Sequence, residues 1–434
     1  MESKPVQAVA FAEALRVWLK IGCLGFGGPA GQIALMHRVI VDEKKWVDEA
    51  RYLHALNFCM LLPGPEAQKL ATYVGWLLHG VRGGLAAGIL FVLPGALVML
   101  AVSLLYVLGS GIPVVEGALF GIKAAVLVIV VEALIRIGRR ALKTGLLYAI
   151  AALAFVGIFF LDLPFPAIVA AAALAGYFFL ETQKTGSIAQ PHPDRWRHFW
   201  MATTVGLALW WGPVVLAVAL LGTDHVFADI GIFFSKLATV SFGGAYALLS
   251  YLATEAVETY GWMSAPEMVD GLGLAETLPG PLIKVTQFVG FLGAWRDPGP
   301  LSPLAAGVLG AALTTWVTFA VPMLLIFAGA PFVEQLRANR RLSGALNAIT
   351  AAVVGVILNL TLWFALHVLF PRVEEMRAGP LRWFAFDPLA LDLKTAGLAA
   401  IAALLAFRLH RGLIELVAVM AALGVAVRFT LGPA

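Results

Sequence analysis

The sequence predicts an all-α polytopic membrane protein made of two homologous, inverted repeats whose helices are broken or re-entrant. Three observations lead there. The chain is 61% apolar and only 13% charged, whereas soluble domains carry charge at about a quarter of their positions. Residues 84–109, 199–222 and 303–331 contain no charged side chain, and each is long enough to cross a bilayer as a helix, which takes ~20 residues. A Phe-Gly-Gly break followed by a Leu-Pro-Gly-Pro break occurs twice, the mark of an internal repeat.

Hydropathy divides the first half into segments a (11–41, interrupted at 25–29), b (48–78, interrupted at 63–65), c (84–108), d (114–135), e (145–161) and f (166–180). A polar linker, 181–198, leads into g (199–221), after which the pattern restarts. The expected organisation is a first repeat at 1–180, a linker with a connecting transmembrane helix at 181–226, and a second repeat at 227–434. Residues 1–10 are mixed and polar, and segment a already carries Glu13, Arg16 and Lys20. No cleavable signal is expected, and the first membrane element is expected to be retained.

The repeat is gapless over about fifty-five residues, where adding 216 to a position lands on its counterpart. Phe11 falls on Phe227, Lys20 on Lys236, Phe26-Gly27-Gly28 on Phe242-Gly243-Gly244, Trp46 on Trp262, and Leu62-Pro63-Gly64-Pro65 on Leu278-Pro279-Gly280-Pro281. The offset then lengthens by eleven or twelve, pairing Pro94 with Pro322 and Gly117 with Gly344. Loop charge suggests opposite orientations, because Lys and Arg favour the cytoplasmic side. The a–b loop has Arg38, Lys44, Lys45 and Arg51, while its counterpart at 253–267 has no basic residue. The c–d and e–f loops are likewise unlike their counterparts, which carry Arg337, Arg340 and Arg341, and Arg408 and Arg411. If a and b are hairpins, c to g make an odd number of crossings and the second copy inverts, with one dissenting loop: Arg372, Arg377, Arg382 and Lys394 fall outside. If a and b cross fully, inversion survives, but the basic a–b and d–e loops cannot both lie inside.

Broken backbone at membrane depth is tolerated where protein or a watery cavity satisfies it, so four breaks point to a cavity. Pro29 and Pro65 each precede a new helical stretch, as suits proline in a first turn. Helices that start there aim N–H groups and the positive dipole end at the break, a site for an anion. The expected anion contacts are Gly27, Gly28, Gly64, Gln68, Gly243, Gly244, Gly280 and Lys284, with Glu66 binding a coupling proton. Lys284 occupies the place of Gln68, and Leu282 that of Glu66, so the scaffold is more symmetric than its charges. Helix kinking, snorkelling or capping would account for the same residue types. Lys20 and Lys236 are secondary candidates for which interfacial snorkelling is the competing reading. Lys123 is a third, expected to neutralise Glu116 or Glu132.

The remaining features read as structural. Cys23 and Cys59 lack disulfide or metal spacing and are expected as buried packing residues. Trp46 and Trp262 suit an interface, Ser264 with Glu267 forms a capping box, and Asp48 is an N-cap. His37, His54 and His79 lack ligand spacing and are read as interfacial. No metal, cofactor or nucleic-acid site is expected, and no His, Asp or Cys cluster has the spacing of a membrane-embedded enzyme.

The run Gly25-Phe26-Gly27-Gly28-Pro29, the loop residue Trp46, Leu62-Pro63-Gly64-Pro65-Glu66-Ala67-Gln68 with Thr72 and Gly75-Trp76, and their second-half echoes together resemble the chromate transporter family. The resemblance covers nearly the whole chain and is closest to the long-chain, two-domain members. It implies a multi-pass bacterial inner-membrane protein that exports chromate using the proton motive force and gives chromate resistance. Its partners would be chromate or a sulfate-like oxyanion, protons, membrane lipid and a homo-oligomeric copy of itself. Sulfate has the same charge and shape as chromate, so a sulfate or other oxyanion carrier, or an anion channel, stays open.

Overall fold

The computed structural model describes residues 9–26, 28–109, 111–180, 195–242, 245–332 and 340–432. Its helices run α1 (Phe11–Leu24), α2 (Gly28–His37), α3 (Glu49–Met60), α4 (Glu66–Leu108), α5 (Pro113–Ala141), α6 (Gly145–Phe159), α7 (Phe165–Phe179) and α8 (Arg195–Leu221). The second half continues with α9 (Val226–Thr239), α10 (Ala245–Thr254), α11 (Ala265–Thr277), α12 (Val285–Arg296) and α13 (Pro303–Gly329). It ends with α14 (Arg340–Leu369), α15 (Leu393–Ala403) and α16 (Leu413–Leu431), with a hairpin, β1 (Val373–Ala378) and β2 (Leu381–Phe386), between α14 and α15. Six of the described helices, α4, α5, α8, α13, α14 and α16, are long and apolar enough to cross a membrane. Helices α6 and α7, at 15 residues each, reach only ~22 Å, less than the ~30 Å of a bilayer core.

The breaks appear where proline and glycine interrupt the apolar pattern. α1 stops before Gly25, α2 restarts at Gly28 with φ +67°, and α3 and α4 flank Leu61–Pro65. α4 is itself two helices joined at His79 (φ −139°) and Gly80 (φ +60°), so segments b and c meet in a tight turn. Gly75 and Gly83 make that approach possible, since a Cβ on Gly83 would lie 2.2 Å from the Gly75 carbonyl.

The repeat is legible in backbone detail at the same offset. A π-helical turn follows α2 at Arg38–Glu43 and another follows α10 at Glu255–Thr259. Trp46 N–H donates to Ile40 O and Trp262 N–H to Ala256 O, each at 2.9 Å, and Phe26 and Phe242 N–H bond Leu24 O and Val240 O. This folding back buries both tryptophans, so neither sits at an interface as their loop positions suggested. Cys59 is buried as expected, but Cys23 is exposed, standing with Leu19 and Leu24 on the outer face of α1. Both caps form: Asp48 Oδ1 accepts from Arg51 N–H, and Glu267 Oε2 accepts from the backbone and hydroxyl of Ser264.

Packing divides the chain into two compact units, each drawing segments from both halves. The first holds α1–α3, α4 as far as Ala101, α8, α9, α12 and α13. Its core is aromatic, with Trp18, Phe58, Phe91, Phe233, Phe234, Phe288 and Phe291 fully buried. The second unit holds the end of α4, α5–α7, α10, α11 and α14–α16 with the hairpin. There α5 and α16 pack closely through Gly121 and Gly424, where a Cβ on Gly121 would fall 1.8 Å from Met420 O.

The hairpin, unforeseen in the sequence, accounts for the dissenting basic loop. Its turn is Gly379-Pro380, with Gly379 at φ +60°. Arg382 is 4% exposed, pairs with Asp162 at 2.8 Å, and has Glu258 and Glu375 within 3.8 Å. Its guanidinium also donates to Ile158 O, while Arg377 pairs with Asp162 and Glu375. These arginines are neutralised by acids from the α6–α7 turn and the α10–α11 connection, so they carry little of the sidedness signal that free loop cations do.

Candidate functional site

The breaks come together inside the first unit. Gly280 N–H donates to Gly25 O at 2.9 Å, and Gly64 N–H donates to Ser241 O at 2.8 Å. Gly25 and Ser241 are equivalent positions, as are Gly64 and Gly280, so each Leu-Pro-Gly-Pro break is tied to the other repeat's Phe-Gly-Gly break. Such reciprocity is what an approximate two-fold relation between repeats requires. Gly64 and Gly280 adopt φ +105° and +94°, a region L side chains enter at a cost. Gly64 also lies against Pro322, 2.7 Å from where its Cβ would stand.

Between the broken segments is a cavity of about 20 Å³, room for roughly one water. Pro29 and Gln32 line it from the start of α2, and Gly64, Pro65, Glu66 and Ala67 from the start of α4. Ser241 completes the wall with Pro281, Leu282 and Ile283, which open the single 3-10 turn leading into α12. Three helix starts therefore border it, and the first-turn N–H groups of a helix lack intrahelical acceptors and carry its positive dipole end. Gln32 is 1% exposed. Its Nε2 donates to Gly25 O (3.1 Å) and Gly280 O (2.8 Å), holding two breaks together, while its Oε1 has no hydrogen-bond partner among the described residues.

The candidate residues separate into several groups. Gly64 and Glu66 line the cavity, and Gly280 is hydrogen-bonded beside it. Gly28 opens α2 next to Pro29. Gln68 and Lys284 lie one turn behind and donate to backbone: Gln68 Nε2 to Phe319 O at 3.1 Å, Lys284 Nζ to Leu278 O at 2.9 Å and Gly280 O at 3.2 Å. Both are fully buried, and in this conformation they brace the breaks without lining the cavity. Lys20 and Lys236 are exposed at equivalent positions of α1 and α9 and do not line it. Gly27, Gly243 and Gly244 lie outside the described residues, as do Lys184, Arg337 and residues 181–194 of the linker.

Two important residues escaped sequence reasoning. Lys69 is fully buried and donates to Leu62 O, the counterpart of the Leu278 carbonyl that Lys284 serves. Two lysines from adjacent slots thus perform one task, but the fixed offset pairs Lys69 with Val285 and hides the relation. Asp270, in the second unit, is 4% exposed and receives a hydrogen bond from Tyr106 at 2.9 Å. It is also the partner of Lys123, at 3.3 Å. The expected partners are engaged elsewhere, Glu116 with Arg428 and Glu132 with Arg136. Gly273 explains the change, since its missing side chain lets α11 lie against Ile122 of α5.

The family model described as chromate transporter matches residues 12–177 and 228–427. The chain is 31% identical over 382 residues to the chromate transport protein of Pseudomonas aeruginosa, covering 86% of this chain and 85% of that one. It is 28% identical over 352 residues to the probable chromate transport protein of Synechococcus elongatus, covering 81% and 83% respectively. A short relative, the uncharacterized transporter YwrB of Bacillus subtilis, is 31% identical over 145 residues, 32% of this chain and 73% of its own length. No solved structure matches the chain.

Proposed function

The chain belongs to the chromate transporter family, and from that premise we propose that it exports chromate across the bacterial inner membrane, coupled to the proton motive force, conferring chromate resistance. The observation that carries the reading is the reciprocal pair of bonds, Gly64 N–H to Ser241 O and Gly280 N–H to Gly25 O, around a cavity edged by helix starts. Room for one water is too little for a tetrahedral oxyanion, so the breaks part when substrate enters. The oxyanion then takes the place of the two carbonyls as acceptor for Gly64 and Gly280, joined by first-turn donors of α2, α4 and the turn before α12. Lys284 and Lys69 supply positive charge one turn behind.

Glu66 gives this site a route to proton coupling. A carboxylate and one negative charge of the substrate, ~4 Å apart at an effective dielectric of 20, repel by about 4 kcal/mol. Protonated Glu66 therefore favours the loaded site, and its ionisation favours release. The Lys and Arg of the a–b loop favour a cytoplasmic position for it and, with a and b as hairpins, an outside position for the β hairpin. The test is exchange of labelled chromate in proteoliposomes with and without a pH gradient, with sulfate as competitor. Saturable counterflow that responds to the gradient supports a proton-linked carrier. Flux without counterflow indicates a channel, and stronger competition by sulfate than by chromate itself identifies a sulfate carrier.

A further inference from the structure

Ionisable side chains inside a membrane helix bundle are costly and mark function more often than packing does. In the second unit, α11 presents such a group at Asp270. Lys123 of α5 faces Oδ1 at 3.3 Å as an ion pair, whereas Oδ2 is held by Tyr106 from the end of α4 at 2.9 Å. A carboxylate this buried, whose Oδ1 is answered by a single, long ion pair, is poised to take up a proton there. The charged groups around it are Lys123 on α5 and Glu267 one turn earlier on α11.

A way in is present. Lys123 lines a cavity of about 240 Å³ with Glu116 and Phe120 of α5 and Val427 and Arg428 of α16. Lys123 is 26% exposed while Asp270 is 5% by side chain, so the lysine stands between an open vestibule and a closed acid. The Glu116 and Arg428 side chains pair with each other across the same cavity, leaving Lys123 the cation that answers Asp270.

We propose that Asp270 is a proton-binding residue of the transport cycle, with Lys123 as the counter-ion that holds its ionised form and Tyr106 as the donor that positions it. This rests on the proton-coupled reading of transport and adds to Glu66 a second carboxyl in the other unit. When Asp270 takes a proton at Oδ1, the ion pair ends and Lys123 is freed toward the vestibule; when the proton leaves, the pair re-forms.

The test uses purified wild-type protein and the Asp270→Asn and Asp270→Glu variants in proteoliposomes carrying a pH-sensitive dye, with chromate added outside. Wild-type chromate exchange is expected to change by roughly ten-fold between pH 6 and pH 8, within the range that linked binding equilibria span. Asp270→Asn should weaken that pH dependence to about three-fold and cut chromate-driven proton movement to about half, Glu66 still carrying its share, and Asp270→Glu should restore both. Undiminished proton movement in Asp270→Asn overturns the assignment alone. No chromate-driven proton movement in the wild type overturns coupling itself and this role with it. Should Asp270→Asn not assemble, dicyclohexylcarbodiimide, which modifies protonated carboxyls at membrane depth, is applied to the wild type across pH. Modification located at Asp270 by fragmentation of the 265–277 peptide, which also holds Glu267 and Glu276, and declining with rising pH upholds the assignment; absent or pH-independent modification of Asp270 overturns it.

Discussion

Replacing Gly64 and Gly280 by alanine probes the two breaks with one change at equivalent positions. Both glycines hold positive φ, +105° and +94°, which costs an L residue about 1–2 kcal/mol. Their surroundings differ. A Cβ on Gly64 would stand 2.7 Å from Pro322 Cβ and 3.1 Å from its Cγ, a rigid ring that cannot swing aside, whereas a Cβ on Gly280 would meet nothing nearer than Gly95 Cα at 3.3 Å. Overpacking of the first kind adds about 1–3 kcal/mol. Gly64→Ala should therefore cost about 2–5 kcal/mol, and Gly280→Ala about 1–2 kcal/mol. Thermal unfolding of the detergent-solubilised variants, read by tryptophan fluorescence at one scan rate, orders them. Equal losses, or a larger loss in Gly280→Ala, would refute the argument, because backbone strain alone would then outweigh the proline contact.

Three further outcomes follow from named contacts. Arg382→Met removes the cation that Asp162, Glu258 and Glu375 share and should cost about 3 kcal/mol, the low end for breaking a buried pair because its partners are a quarter to a third exposed; denaturant unfolding measures it. Burial pushes the Glu258 carboxyl up to about 7 against the pull of Arg382, so the folded state holds more protons than the unfolded one between the ordinary carboxylate range and that value. Stability should fall as pH rises through that window, and Glu258→Gln should remove this slope in a melting series from pH 5 to pH 8. Gln32→Leu removes the donor that joins Gly25 O to Gly280 O and should cost about 1–3 kcal/mol at two bonds, with faster cleavage by added protease near the breaks.

Much of the first unit was legible because glycine and proline leave marks that no packing can erase. The breaks at Gly64 and Gly280, the helix starts at Pro29 and Pro65, and the fixed offset all stood in the residues before any coordinates. Side-chain direction did not. Successive residues at a helix start point ~100° apart, so the sequence could nominate Gln68 and Lys284 without revealing that they brace carbonyls, or that Lys69 is Lys284's functional twin. Asp270 was hidden for a different reason: its ion pair joins α5 to α11, 147 residues apart in the chain, and its equivalent position holds His54, so the repeat offered no echo. The hairpin at 373–386 read as loop charge because two six-residue strands with Arg and Glu in them lack the apolar alternation that announces a half-buried strand.

An oxyanion bound where the four breaks meet changes the backbone protection of the segments that form them. Amide hydrogen exchange of the purified protein, with chromate, with sulfate and with neither, tests it by location. Chromate should change the exchange of peptides spanning 25–32, 62–68 and 278–284 and leave those of 373–386 as they were. Binding of chromate that alters exchange elsewhere while these three segments stay unchanged would contradict the account.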